Sequence, residues 1–439
     1  MKSNWKRVFS SPVFITGFAF ALRMLLLYVG SRSGPTPARI NLPYGYELGS
    51  VARAIASGKG FSSPLVMLET GPTAWFTPIY PYLVAGIFKL WGIFSVTSQI
   101  VIQTMNCAFA ALTIIPIHGI AKRTFGENTA IAAAWTWVVL PNALKFPMIW
   151  IWDTALMALV FALIFWATLA MREKDGIAVW AGYGALWAVG VLINPSILSL
   201  FPFFLGWLVW ETRKAAIAWA KNVTAALLVF AICMVPWTIR NDRVFGKFIV
   251  LRSNFGLELW LGNSPNVTDT MAQWQHPSDN PEEAAKYKRM GEIAYMAEKE
   301  HEAFAYMRTH PGETLSHVFR RFVDTWLATS ESPADVWANA DLAGRSFLVL
   351  NSLLSVLCLL GALYAHRARH PEAIPFGMVL LIFPVIFYLT HSSLRYRFPI
   401  DPIMVVLATG AVAHLIWLAR SQNPNRKKAA EPIPSLRAF

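Results

Sequence analysis

Residues 153–174 read DTALMALVFALIFWATLAMREK, an apolar run bounded by charge at both ends. No charge interrupts it between Thr154 and Met171, and at 1.5 Å per residue that run makes about 27 Å of helix, enough to cross hydrocarbon about 30 Å thick. Asp153 stands at one end, Arg172 and Lys174 at the other. Similar apolar runs lie near 12–30, 99–120, 129–146, 177–194, 196–212, 217–238, 346–365, 372–390 and 400–419. Composition agrees: of 439 residues 55% are hydrophobic and only 14% charged, and mean hydropathy is +0.44. A soluble domain carries about a quarter charged residues. Soluble globular, disordered and fibrous classes are therefore excluded, and the expected fold is an all-α polytopic membrane protein with about ten transmembrane helices.

The surplus of 38 Lys+Arg over 25 Asp+Glu, +13 in all, does not form one basic face suited to nucleic acid. It is dealt out in clusters: Lys2/Lys6/Arg7, Lys122/Arg123, Arg172/Lys174, Arg213/Lys214, Arg367/Arg369 and Arg420/Arg426/Lys427/Lys428. These fall at every second junction between runs, so the positive-inside rule puts them, and both termini, in the cytoplasm. Cys107, Cys233 and Cys358 lie inside apolar runs and read as small hydrophobes. The first run has no cleavage site after it and reads as an uncleaved span.

One apolar run, 78–93, breaks the count. It is short, holds Pro81 and Lys89, and if it crossed it would force later basic clusters outside. It is expected as a surface helix in a first external loop, 31–98, beside a second one over Glu47–Ser57 that ends at Gly58. Residues 1–238 are expected as an N-terminal transmembrane catalytic module and 346–420 as C-terminal transmembrane helices, with 421–439 as a basic cytoplasmic tail. Between them, 239–345 reads as a small soluble extracytoplasmic insertion. In it Asp279, Asn280 and Pro281 cap a helix running from Glu282 to about Arg308, and a second helix covers 312–328.

Charge where charge is expensive marks chemistry in a membrane protein. On the outer side stand Glu47, Asp153, Arg240 and Arg243 in PWTIRNDRVFGKF, and Arg395 and Arg397 in HSSLRYRFPID. Each has a plain alternative. Glu47 reads equally as an acid favoured by a helix N-terminus, Asp153 as a helix cap, and Arg240, Arg243 or Arg252 as partners of lipid phosphates. An arginine pair in a short outer loop opposes the positive-inside trend, however, and suits a bidentate grip on phosphate. A base for an attacking hydroxyl together with arginines for a departing phosphate is what glycosyl transfer from a lipid phosphate requires.

Taken in order, YGYELGSVARAIASGKGFS, TGPTAWFTPIYPYLVAGIFKLWG, AKRTFG, LPNALKFPMIWIWDTAL, VGVLINPSILSL, VPWTIRNDRVFGKFIVLRSNFGLELWLGN and RYRFPIDPIM resemble a bacterial membrane glycosyltransferase of the GT-C superfamily. The likeness is to the family 39 or PMT-like branch, which includes aminoarabinose and protein mannosyl transferases, and it runs from about 12 to 420. It implies a GT-C fold and an inverting transfer from a polyprenyl-phosphate sugar, undecaprenyl phosphate in a bacterium. The implied acceptor is a lipid, a glycan or a protein on the outer face of the inner (plasma) membrane. Glu47 occupies the place of the catalytic base and Asp153 that of the second external acid. Arg395 and Arg397 lie in the region near the lipid phosphate. The family often carries an acid a few residues before the base, where this chain reads Pro43-Tyr44-Gly45-Tyr46. Tyr46, Trp75, Tyr80, Trp150 and Trp152 read either as substrate-stacking aromatics or as part of an interfacial belt.

No cofactor is required by this reading. A divalent cation stays open, since hard cations want several oxygen ligands and Glu47 with Asp153 offers few. The rival reading is a polyprenyl-lipid flippase or other transporter. Carriers place ionisable groups near the midplane, whereas Arg23 is the one clear mid-span charge here.

Overall fold

Proline and glycine decide where the helices of this chain stop and where they touch. The structure, a computed structural model, describes residues 7–32, 44–66, 68–149, 151–214, 218–265, 267–268, 270–327, 337–338 and 340–421. Among them there is no strand, only an isolated bridge between Ser62 and Pro72. Six helical stretches are long and apolar enough to cross a membrane: Pro12–Gly30, Val96–Phe125, Thr154–Met171, Trp219–Phe245, Leu342–Arg367 and Leu394–Ser421. Ile177–Ile193 is apolar but shorter.

The other expected spans are interrupted. The 129–146 run is split into Glu127–Val139 and Pro141–Ile149, the 196–212 run opens with a 3-10 turn at Pro195–Leu200, and Pro384 divides 372–390. The first break explains the mid-span charge. In an unbroken helix the carbonyls of Trp137 and Ala143 would accept from the amides four residues on, but those positions are Pro141 and Pro147, which have no N–H. Arg23, fully buried, donates to both, from Nη2 to Trp137 at 3.4 Å and from Nε to Ala143 at 3.2 Å. Its third bond goes to Ala19 at 3.0 Å.

Two glycines let helices cross at backbone contact, as small residues do in membranes. A Cβ on Gly184 would stand 2.1 Å from the Ala226 carbonyl oxygen, and one on Gly361 would stand 2.0 Å from that of Leu407. These contacts join Ile177–Ile193 to Trp219–Phe245, and Leu342–Arg367 to Asp401–Ser421.

Helices form over both expected stretches of the first loop, at Tyr46–Ala56 and Ile79–Trp91, packed on each other. Leu48, Val51 and Ala52 of the first are buried, as are Tyr80, Val84 and Phe88 of the second, while Leu90 and Trp91 are exposed. The expected single helix over 282–308 is instead two, Pro281–Met290 and Glu292–Thr309, because Gly291 adopts φ +77°. Asn280 caps the first of these by accepting from the amides of Glu282 and Glu283. A further short helix, Phe255–Gly262, precedes them, and Pro311–Leu327 follows. Glu292 fastens this segment to the first loop. It accepts from the Ala74 amide at 2.7 Å, Ser253 Oγ at 2.6 Å, Thr73 Oγ1 at 2.5 Å and Tyr287 Oη at 2.7 Å.

Candidate functional site

Glu47 sits in the first turn of Tyr46–Ala56, where a helix N-terminus favours a carboxylate. Its side chain is almost enclosed. Ser278 Oγ donates to Oε1 at 2.6 Å and His276 Nδ1 stands 3.8 Å from the same oxygen, so the segment after 239 folds back over the acid. Trp75 packs against His276 with ring centroids 5.7 Å apart, and the carbonyl of Trp75 accepts from Arg252 Nε at 2.7 Å.

Asp153 precedes helix Thr154–Met171 and accepts from Asn194 Nδ2 at 3.0 Å. Asn194 is fixed at the Asn194-Pro195 break, where its own side-chain oxygen caps Pro195–Leu200. The Arg395 guanidinium lies over the Trp152 ring, 4.1 Å from its centroid, and within electrostatic reach of both Glu47 and Asp153. Arg252, lying over Phe76 at 5.3 Å, acts on Asp153 as well. The structure thus brings Glu47, Asp153, Trp152 and Arg395 to one mouth of the helical bundle.

Sequence reasoning missed the other half of that mouth. His391 Nε2 meets Glu258 Oε2 at 2.5 Å, and Asn254 Nδ2 donates to the other oxygen of Glu258, also at 2.5 Å. Burial alone would push the Glu258 carboxyl up. The His391 hydrogen bond and charge, aided by Arg252 and His276, outweigh it and bring the group down to about 2. His391 contacts Tyr396 at 5.3 Å between centroids, and Arg395 Nη2 donates to the Tyr396 hydroxyl at 3.0 Å. His391 lies inside HSSLRYRFPID, so a signal existed in the motif, but Glu258 in an apolar helix carried none.

Arg397 is not at this mouth. It is fully buried, with Nε 3.0 Å from Asp401 Oδ1 and Nη2 2.7 Å from Asn351 Oδ1, while Nη1 reaches Ser355 and the carbonyls of Thr325 and Trp326. Asn142 Nδ2 closes the knot on Asn351 and Asp401, both at 2.8 Å. Buried and bonded through all three guanidinium nitrogens, Arg397 does not join Arg395 at the mouth. Helical spacing accounts for the split: adjacent odd positions on a turn face different sides. Arg240 is likewise committed, donating to the carbonyls of Thr73 and Phe61, each at 2.7 Å, and so clamping the first loop. Arg243 is exposed at the end of Trp219–Phe245.

Among the aromatics, Tyr80 is buried with its hydroxyl on Asn106 at 2.9 Å, a core group rather than a stacking platform. Trp75 is buried beside the site, Tyr46 is 46% exposed at φ +45°, and Trp150 lies outside the described residues. Three buried polar atoms near Arg395 make no hydrogen bond: Trp152 Nε1, His391 Nδ1 and Ser392 Oγ. Among the described residues no group of three or more His, Cys, Asp or Glu side chains is placed to hold a metal ion. Glu47 is held by Ser278 and Asp153 by Asn194, each through one carboxylate oxygen.

Residues 75–239 match the family model described as dolichyl-phosphate-mannose-protein mannosyltransferase. Among solved structures, the chain overlays the Archaeoglobus fulgidus oligosaccharyltransferase in complex with Zn and sulfate at TM-score 0.54. Identity is 15%, covering 92% of this chain and 49% of that one. The apo form of the same enzyme gives 0.54 at 14% identity over 93% and 52%. ArnT from Cupriavidus metallidurans bound to undecaprenyl phosphate is similar at 13% identity over 92% and 79%, with a TM-score of 0.38 that is too low to carry an argument. No curated protein matches. The chain spans about half the length of the oligosaccharyltransferase structures. Its class, by fold, is the all-helical membrane architecture shared with that oligosaccharyltransferase. Residues 75–239, well under half of the chain, are the part similar to that mannosyltransferase family.

Proposed function

We propose that the chain is an inverting glycosyltransferase that moves a sugar from a polyprenyl-phosphate carrier, undecaprenyl phosphate in a bacterium, to a lipid, glycan or protein acceptor. The reading includes a bacterial inner-membrane location, cytoplasmic termini and a site on the outer face. Its main support is the convergence of Glu47, Asp153 and Arg395 at one mouth, with Trp152 beneath the guanidinium.

In this reaction an acceptor hydroxyl attacks the anomeric carbon from the face opposite the phosphate. As the new C–O bond forms, Glu47 takes the hydroxyl proton, the old bond to the phosphate oxygen breaks, and its electron pair leaves with the lipid phosphate. The phosphate charge that develops is met by Arg395 and Arg252, with Trp152 Nε1 and Ser392 Oγ as available donors. Asp153, held by Asn194, acts electrostatically on Arg395. Ser278 holds Glu47 in one rotamer, and Trp75 backs His276 behind it. Arg397 and Arg240 have structural roles.

The test is a kinetic split in membranes supplied with a polyprenyl-phosphate sugar. Glu47→Gln is expected to lose transfer by at least 1000-fold in kcat with normal expression. Arg395→Met is expected to raise the KM for the lipid donor as well as lowering kcat. Full activity in Glu47→Gln removes Glu47 as the base.

A further inference from the structure

Helix Pro311–Leu327 is amphipathic in reverse. Wound at about 100° per residue, Leu315, Phe319, Phe322 and Trp326 share one face, while Arg321 and Asp324 lie across from it. In a soluble segment the apolar face turns inward. Here the buried residues are Arg321, Asp324 and Thr325, whereas Leu315 is 69% and Phe319 66% exposed.

Its depth is set by bonds to neighbouring spans. Ser355 Oγ donates to the carbonyl of Trp326. Ser355 stands about twelve residues, about 18 Å of helix, from Arg367 at the basic end of Leu342–Arg367. Since hydrocarbon is about 30 Å thick, the last turn of Pro311–Leu327 lies level with it, not above it. On the charged face Arg321 is bonded to protein. Arg321 Nη2 donates to Asn263 Oδ1 at 2.9 Å and Nη1 to the carbonyls of Leu389 and Thr390. The apolar face continues onto the apolar Ala373–Leu389 stretch, through a Phe322–Tyr388 ring contact at 5.4 Å and a Trp326–Tyr388 hydrogen bond at 2.9 Å.

We infer that Pro311–Leu327 is not part of a soluble insertion but a membrane-embedded helix, whose Leu315–Phe319–Phe322 face is covered by acyl chains of the leaflet on the site side. Seventeen residues and a charged face keep it below any hydropathy threshold for a span. Because Arg321 grips the two carbonyls just before His391, the embedded helix also positions the His391–Glu258 pair. The inference is independent of the sugar chemistry.

Nitroxide labels test it in the full chain reconstituted in liposomes. Leu315→Cys and Phe319→Cys are read separately on a Cys233→Ala background, in which Cys107 and Cys358 are buried. The exposed Arg289→Cys serves as the aqueous reference. Positions 315 and 319 are expected to collide several-fold more with oxygen than with a water-soluble nickel chelate, and 289 the reverse. Nickel-dominated collisions at 315 and 319 put the face in water and overturn the inference. Shielding from both reagents means a second copy or another protein covers it, which overturns it equally. If neither cysteine variant accumulates, benzoylphenylalanine at Phe322 decides: an adduct to lipid supports the inference, and an adduct to protein alone, or none, refutes it.

Discussion

At the residue scale, two arginines only two positions apart have opposite fates. Arg395 lies over Trp152 among the acids, whereas Arg397 is sealed in the knot with Asp401, Asn351 and Asn142. Removing one member of a fully buried ion pair leaves the other uncompensated, at a cost of about 3–5 kcal/mol. Arg397→Met is therefore expected to lower the unfolding temperature sharply in detergent, while Arg395→Met leaves it near the wild-type value and affects the site. Equal melting of both variants would contradict the division. The Glu258 carboxyl, brought down to about 2 from an ordinary 4.5, contributes stability that is fully present above pH 4.5 and lost as pH falls through about 2. Wild type should thus lose melting temperature between those limits more steeply than Glu258→Gln; parallel acid profiles would refute the His391–Glu258 account. Glu47, Asp153 and Arg395 could be picked out because charge between apolar runs is conspicuous in sequence. Glu258 was not singled out, and Arg252 was read only as a partner of lipid phosphates, because their place depends on a chain reversal that brings the segment after 239 over the first loop, which no local pattern encodes.

At the scale of elements, the unbroken helices were legible to within a few residues, since the apolar runs that define them are long and bounded by charge. The breaks were less so, although their cause is written in the chain. Pro141 and Pro147 each free one carbonyl, and Arg23, more than a hundred residues upstream, supplies donors to both. An unmet buried carbonyl costs about 1–3 kcal/mol. Arg23→Met is expected to destabilise by about 2–5 kcal/mol, and Pro141→Ala, which restores one amide, should recover part of that loss in the double variant. An additive double variant would show that Arg23 is not compensating for the proline. Gly361 carries a comparable prediction: Gly361→Leu drives a side chain into the Leu407 carbonyl and should prevent stable packing of Leu342–Arg367 on Asp401–Ser421, read as loss of monodisperse protein in detergent.

At the scale of the whole molecule, the polar groups sort by end. Arg123, Arg172, Glu211 and Glu372 form an ion network at the end of the bundle opposite the acids, with Arg172 3.4 Å from both Glu211 and Glu372. The other mouth gathers Glu47, Asp153, Arg252, Glu258, His391 and Arg395 around the base of the folded-back segment. A carrier needs a path that opens alternately to both sides, which the proposed reaction at one mouth does not. The most direct measurement uses purified chain in liposomes bearing a polyprenyl-phosphate sugar on the site side together with a membrane-derived acceptor fraction. It quantifies free polyprenyl phosphate against sugar transferred. The account predicts release in step with transfer for wild type and none for Glu47→Gln. Movement of the intact lipid-linked sugar across the bilayer with no polyprenyl phosphate released, or undiminished release by Glu47→Gln, would contradict it.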